Sequence, residues 1–471
     1  MMGIFNKIKE VLRRLFSRDS IKNKIDVDIA VSEEMSLAID TWTKIYKDKP
    51  PWKYDRNGKE VVKTMNLPAI ISSELARLAT SELETHISDK KLDAYYQMVI
   101  ADLRQCCELG CATGGIVFKP SIENDKIAVT YVQAESFFPT NYDAFGEITG
   151  AIFLDQIIKG KIIYTKVEEH ELENNQYSIR NYAFENKADN IDDSNDIGKQ
   201  IPLSNVSEWE DLEEEWMCGG ILSPLFGYFK MPGVNLVDGK SPLGVSCFSK
   251  AIDLIKQADL QYDRTIWEYE GSELAIDIDS TWLIQDGITG KLELPKSGER
   301  LFRKLNMNDQ TNAYNVFAPN IRDSSLFNGL NNLLKRIEFN CGLSYGTISD
   351  PSNVDKTATE IISSKQRLYS TVKDVQGALE DALNQLVYAM SVWCKIGGIS
   401  PNIGQKVSFN WDDSIIIDKQ IELATMQQDV SSGILKPEIY IAKKYGVTEE
   451  EALKMMPEKI ETQSDPFNNL I

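Results

Sequence analysis

Residues 349–396 read SDPSNVDKTATEIISSKQRLYSTVKDVQGALEDALNQLVYAMSVWCKI. A polar loop around Ser349, Asp350, Pro351, Ser352 and Asn353 gives way to a run from Thr359 to Ile396 that holds no proline. Within that run Leu368, Val372, Val375, Leu379, Ala382, Leu386 and Trp393 step by threes and fours, the signature of one buried helix face. At 1.5 Å per residue the predicted helix reaches about 55 Å, longer than most domain helices.

Working back from this helix, a shorter one is predicted from about Ser325 to Leu343, on Leu326, Leu330, Leu333, Ile337 and Phe339. Gly342 and Gly346 end it before the polar loop. A further helix spans Gly244 to about Gly271, with Phe248, Ile252, Ile255, Tyr262, Ile266 and Tyr269 close to one stripe. Between the two, from Leu274 to Asn320, β-type runs, turns and glycines form a small insertion. Beyond the long helix come a strand near 406–411 and helices at 417–430, 437–445 and 449–456. Thr448 and Glu451 have capping-box spacing, and Gly446 is placed to end the helix before them.

The N-terminal half changes period partway. Residues 2–17 form a basic amphipathic helix, with Ile4, Phe5, Ile8, Val11, Leu12, Leu15 and Phe16 on one side and Lys and Arg on the other. It reads as a segment that docks on its own protein or a neighbour, with a membrane surface as the alternative. Residues 28–119 are mainly helical, with Ile70, Leu75, Leu78 and Leu83 at helical spacing and a second pattern from Leu92 to Leu109. Short β runs follow at 116–118, 127–132 and 137–139, then a three-strand meander around 149–158, 161–170 and 176–184. Lys159-Gly160 and Asn174-Asn175 supply its turns, and the acidic stretch 185–200 reads as a loop. No internal repeat is visible.

At 471 residues the length suggests roughly three domains or layers. Apolar residues make up 42% and charged residues 26%, a balance that excludes wholesale disorder. No apolar run is long enough for a membrane-spanning helix, and Lys7, Lys9, Arg13 and Arg14 break up any secretory signal. Seven scattered cysteines (106, 107, 111, 218, 247, 341 and 394) fit reduced thiols in a cytoplasmic compartment. With 51 basic against 71 acidic residues, the formal charge is −20. That sign opposes tight phosphate binding, which depends on Lys and Arg displacing counterions. It suits a surface that lets DNA pass without gripping it, and it equally suits any soluble acidic protein.

Signs of catalysis are sparse. His86 and His170 are the only histidines, too few for a multi-histidine metal site. Cys106, Cys107 and Cys111 lack the CxxC spacing of a zinc site and read as buried free thiols. Gly110, Gly114 and Gly115 lack the Gly-Lys-Ser/Thr ending of a phosphate loop and read as a helix-to-strand turn. Asp277 with Asp279, Asp412 with Asp413, and the run EWEDLEEE at 208–215 raise a magnesium-dependent nuclease as an alternative. None is interleaved with the Lys and His that phosphodiester hydrolysis usually needs, so solvated acidic faces are the better account.

The order of elements resembles the portal proteins of tailed bacteriophages, of the type found in siphophages and prophages of Gram-positive hosts. Four segments carry the resemblance: NLPAIISSELARLATSE at 66–82, GGIVFKP at 114–120, YVQAESFFP at 131–139 and KTATEIISSKQR at 356–367. The resemblance spans roughly residues 30–460. The resemblance implies an α+β portal fold with wing, stem, clip and crown layers, mainly helical with a β-rich wing and clip. On that plan 1–27 is an N-terminal arm, 28–243 the wing and 244–271 a stem helix. The clip is 272–322, the second stem helix 323–348 and the tunnel loop 349–358. Residues 359–414 form the long helix and wing return, and 415–471 the crown.

The implied function is structural. A homo-oligomeric ring, dodecameric in virions, occupies one capsid vertex and channels double-stranded DNA. It helps to start capsid assembly with the major capsid and scaffold proteins. It docks the terminase large subunit and then the head-tail adaptor, and needs no cofactor, metal or membrane. Asp350, Asn353, Asp355, Lys356 and Thr357 are the expected channel-facing residues, with Lys356 the candidate for transient phosphate contact. A DNA-processing enzyme and another virion protein, such as a tail or baseplate subunit, are the alternatives.

Overall fold

A computed structural model describes residues 18–81, 83–187, 197–279, 284–285, 292–293, 302–305, 314–350, 358–399, 405–411, 419–445 and 448–456. The chain divides into two units, residues 1–410 and 411–471. Helices and mainly antiparallel sheets mix in an α+β fold.

The first unit opens with helices α1 (Arg18–Ile25), α2 (Glu33–Tyr46) and α3 (Leu67–Thr80), then strand β1 (Leu83–Ile87) and helix α4 (Lys90–Thr113). Ser32 caps α2 and Asp89 caps α4 with side-chain oxygens, satisfying amide groups that the first turn leaves free. Residues 28–119 are therefore not helical throughout: 47–66 is irregular, and β1 pairs with the distant β16 (Val407–Trp411). At the end of α4 Gly114 takes φ 95°, and a Cβ there would stand 2.5 Å from the Gly244 carbonyl oxygen. The glycine cluster is thus a helix-to-strand turn pressed against a neighbouring segment.

Two sheets follow. One has the order β10-β2-β3, from β2 (Gly115–Glu123), β3 (Lys126–Gln133) and β10 (Gly227–Lys230). The other runs β4-β5-β6-β7-β8, with β9 also pairing β7. Its strands are β4 (Phe137–Tyr142), β5 (Ile148–Lys159), β6 (Ile162–Glu173), β7 (Gln176–Lys187), β8 (Lys199–Ile201) and β9 (Glu215–Gly219). Asn174 and Asn175 both adopt positive φ, as the tight β6–β7 hairpin requires. The expected loop at 185–200 is strand at both ends, and its middle, 188–196, lies outside the described residues.

Helices α5 (Ile252–Gly271) and α6 (Asp323–Asn340) pack on each other and flank β11 (Ala275–Asp279), β12 (Ile284–Gln285), β13 (Leu292–Glu293), β14 (Phe302–Leu305) and β15 (Tyr314–Phe317). Residues 244–248 precede the helical stripe without being helical, and a 3₁₀ turn at Ser249–Ala251 leads into α5. The 39-residue helix α7 (Ala358–Ile396) then crosses the unit. Val372, Val375, Leu379, Ala382 and Leu386 are fully buried, as their spacing predicts. Its middle lies so close to β10 that a Cβ on Gly227 would stand 2.3 Å from the Ala382 carbonyl oxygen. Nearer its end, Ala389 and Val392 pack with Tyr177, Ile179, Ile221 and Leu225, and Trp393 stacks on Trp216 at 5.2 Å between centroids.

In the second unit α8 (Lys419–Ser431), α9 (Pro437–Tyr445) and α10 (Glu449–Met455) succeed one another. Both halves of the capping box form: Glu451 N–H donates to Thr448 Oγ1 at 3.3 Å and Thr448 N–H to Glu451 Oε2 at 3.2 Å. Residues 2–17, Gly446, Asp412 and Asp413 lie outside the described residues.

Candidate functional site

Of the expected channel residues, Asp350 is described, while Asn353, Asp355, Lys356 and Thr357 lie outside the described residues. The described chain shows how the two ends of this loop are held.

At the N-terminal end, the hold comes from two polar side chains on α6. Glu338 has no solvent exposure. Its Oε1 accepts the backbone N–H groups of Gly346 (3.1 Å), Ile348 (2.7 Å) and Ser349 (2.8 Å), and its Oε2 accepts the Ser349 hydroxyl at 2.8 Å. Two turns earlier Asn331 grips Asp350, accepting its N–H at 2.8 Å and donating to its carbonyl at 3.5 Å. A seven-residue interval puts both side chains on the same face of the helix. One helix face therefore fixes the backbone up to the point where the loop begins. Neither residue was singled out by the sequence reading.

At the C-terminal end α7 is tied to the same turn. The Arg367 guanidinium lies over the Phe339 ring at 4.1 Å and the Tyr345 ring at 5.8 Å. Thr371 Oγ1 donates to the Gly342 carbonyl at 3.1 Å, and a Cβ on Gly342, whose φ is 73°, would meet that oxygen at 2.4 Å. From Arg367 onward, α7 is thus tied to the turn that follows α6.

The α5/α6 pair is braced at both ends. Buried Asp259 accepts Trp52 Nε1 at 2.9 Å and the Met65 N–H at 3.0 Å. Toward the insertion, Arg322 forks onto Glu268 at 3.0 and 2.8 Å. Here the pair has little cover. Ser324, Ser325, Phe327, Asn328 and Gly329 of α6 are exposed, as are Trp267, Tyr269 and Glu270 of α5. Trp267 is 67% exposed, Phe327 47% and Tyr269 41%, with Leu274 and Ile321 exposed nearby. Tyr269 and Phe327 lie 6.4 Å apart between ring centroids, and exposed apolar side chains brought together in this way mark an interaction surface.

The groups weighed for chemistry lie elsewhere. His170 is buried in the six-stranded sheet, with Nε2 2.7 Å from Glu168 and Nδ1 2.8 Å from the Tyr177 hydroxyl. Lys119 and Lys166 sit 2.7 and 3.0 Å from the same carboxylate. Burial opposes charge on Glu168, but Lys119, His170 and Lys166 together hold it well below the usual carboxylate range. Burial pushes His170 below its ordinary 6.5, against the pull of Glu168. Such a histidine is protonated first in the unfolded chain, so its stabilising effect is complete above 6.5 and declines as pH falls toward its folded pKa. His170→Gln is accordingly expected to flatten the loss of stability just below that pH, read from denaturant midpoints at a series of pH values. An unchanged slope would contradict this assignment.

All seven cysteines are free. Cys107 and Cys111 face each other at 3.9 Å between sulfurs, and burial pushes the Cys106 and Cys247 thiols up to about 12, far from reactive thiolates. Asp277 of β11 pairs in register with Arg303 of β14 and Asn315 of β15, and Asp279 with Leu305 of β14. In the 208–215 run Trp209 is buried and Glu215 pairs with Arg180 at 3.1 Å. Among the described residues no group of three or more His, Cys, Asp or Glu is arranged to hold a metal ion, and no helix is long and apolar enough to cross a membrane.

The described residues thus define an α+β protein in which side chains of α6 and α7 hold the backbone on either side of residues 351–357. The family model described as phage portal protein, SPP1 Gp6-like, matches residues 89–465, and the chain belongs to that family. Two solved structures are similar at 10% identity. One is the neck of a native GTA particle computed with C12 symmetry, with TM-score 0.40 over 81% of this chain and 90% of that chain. The other is the neck of an empty GTA particle computed with C6 symmetry, with TM-score 0.42 over 87% and 93%. No curated protein sequence matches.

Proposed function

We propose that the chain forms the ring-shaped portal at one vertex of a phage head, where DNA enters during packaging and leaves during ejection. Membership of the portal family across residues 89–465 carries this reading. The phage or prophage it serves has a long-tailed particle and a Gram-positive host. In this reading residues 349–358 are the tunnel loop, α5 and α6 the stem and 272–322 the clip. Residues 28–243 with α7 make the wing, and 415–471 the crown.

The anchored loop supports this reading on physical grounds. A segment that touches moving DNA needs fixed supports on either side. Glu338 and Asn331 hold one end, and the contacts of Arg367 and Thr371 hold the other. A charge of −20 per chain keeps a duplex from being gripped, and Lys356 supplies a transient contact. The apolar side chains at Trp267, Tyr269 and Phe327 serve as ring contacts, since a side-to-side interface that closes needs two complementary patches on every copy. The terminase large subunit docks at the clip and supplies ATP hydrolysis. The head-tail adaptor later takes its place, and scaffold and capsid proteins assemble around the ring.

Deleting the gene from the phage or prophage that encodes it is expected to leave heads without DNA, and the wild-type gene is expected to restore packaging. Lys356→Glu is expected to restore rings but slow packaging, read as DNA protected from nuclease per head over time. Normal filling without the gene would overturn the function. Normal rates in the Lys356 variant would overturn that residue's role alone.

A further inference from the structure

We propose that residues 2–17 dock in a cleft on the exposed face of α7 in the same chain. The cleft, about 710 Å³, lies between α7, the β4–β5 turn and residues 222–233. Asp374, Gly377, Ala378 and Asp381 line it from the helix. Gly377 leaves open space where a side chain would stand, and neither aspartate has a hydrogen bond or ion pair among the described residues. Phe145, 92% exposed, and Leu222, 72% exposed, stand on the opposite walls. Such apolar side chains beside an uncovered helix face call for a cover.

Charge and reach point to the occupant. Asp143, Glu147, Asp374 and Asp381 line the cleft against Lys230 and Lys373, which leaves it acidic. Residues 2–17 carry Lys7, Lys9, Arg13 and Arg14 against Glu10 alone, with an apolar stripe from Ile4 to Phe16. An amphipathic basic helix and an acidic, apolar-walled cleft match in both respects. The chain just beyond α1 is tied to both rims. Ala30 N–H donates to the Pro139 carbonyl at 2.8 Å in β4, the strand that leads to Asp143. Asn235, which follows Pro232 and Gly233 of the other rim, donates to Met35 Sδ at 3.4 Å. Pro139 to Asp143 spans about 13 Å at 3.3 Å per residue. A helix of 16 residues covers about 24 Å, ample to lie along the cleft.

The test is zero-length carbodiimide cross-linking of the full-length protein, with ¹⁴N- and ¹⁵N-labelled chains mixed and the products read by mass spectrometry. The expected products join Lys7 or Lys9 to Asp374 or Asp381 within one isotope. The exposed-face variant Asp374→Lys/Asp381→Lys is expected to speed amide exchange in residues 4–16 at least tenfold, with an unchanged melting curve. Mixed-isotope links would assign the cleft to a neighbouring copy and overturn the proposal. It is overturned equally if no such links form while Lys44 still links to Asp40, its 2.6 Å partner. The inference does not rest on ring formation, since a monomeric sample is expected to give the same links.

Discussion

Glu338→Ala is expected to destabilise the protein by about 3–5 kcal/mol, because each buried donor left without an acceptor costs about 1–3 kcal/mol and the surroundings relax only in part. The carboxylate accepts three backbone amides and one hydroxyl, all from residues 346–349. The Gly346 N–H also reaches Ser349 Oγ at 3.2 Å, so the loss falls mainly on the Ile348 and Ser349 donors. The damage should centre on the turn that launches the loop, so hydrogen exchange at 346–350 is expected to rise more than exchange in the β5–β7 meander. Glu338→Gln keeps one carbonyl oxygen for the amides and is expected to lose about 1–2 kcal/mol. Denaturant unfolding with exchange mass spectrometry measures both. An alanine variant within about 0.5 kcal/mol of the parent, the range of an ordinary surface substitution, would show that Glu338 does not anchor the loop.

Trp267→Glu is the second large effect, and it concerns assembly. Trp267 is 67% exposed in the single chain, so the substitution should leave the melting curve of the isolated subunit within about 0.5 kcal/mol. In a ring it would place a charge in an apolar contact. Aromatic anchors at interfaces cost about 2 kcal/mol or more when lost, roughly a 30-fold weakening at each subunit contact. Light scattering after gel filtration is expected to show rings replaced by monomers and short arcs. Rings at the parental concentration would remove this patch from the interface.

Much of the architecture was legible because it is local. The long helix was predicted to within one residue at its start, since a proline-free run with regular apolar steps has no competing reading. The meander was legible from Lys159-Gly160 and Asn174-Asn175, whose positive φ at Gly160, Asn174 and Asn175 is what such turns demand. Strand β1 was not legible: LETHI at 83–87 is five residues long and pairs with β16, more than 300 positions away. Within the site, a loop at 349–358 was expected from its polarity and residues 351–357 lie outside the described residues, while the side chains that hold the preceding turn were missed. Asn331 and Glu338 sit at buried positions beside Leu334 on α6. Polar residues inside an apolar stripe are the signal that identifies them, because a buried carboxylate needs donors. The exposed aromatic residues of α5 and α6 show the reverse limit. Tyr269 fits the helical stripe in sequence yet stands in solvent, because periodicity marks a helix face without saying what packs against it.

Whether these chains close into a DNA-conducting ring is decided by native mass spectrometry of the purified full-length protein, with negative-stain images of the same sample. The expected result is rings of about twelve subunits related by closed cyclic symmetry, with an axial hole wide enough for a duplex. A small, stable oligomer with no central hole would contradict it.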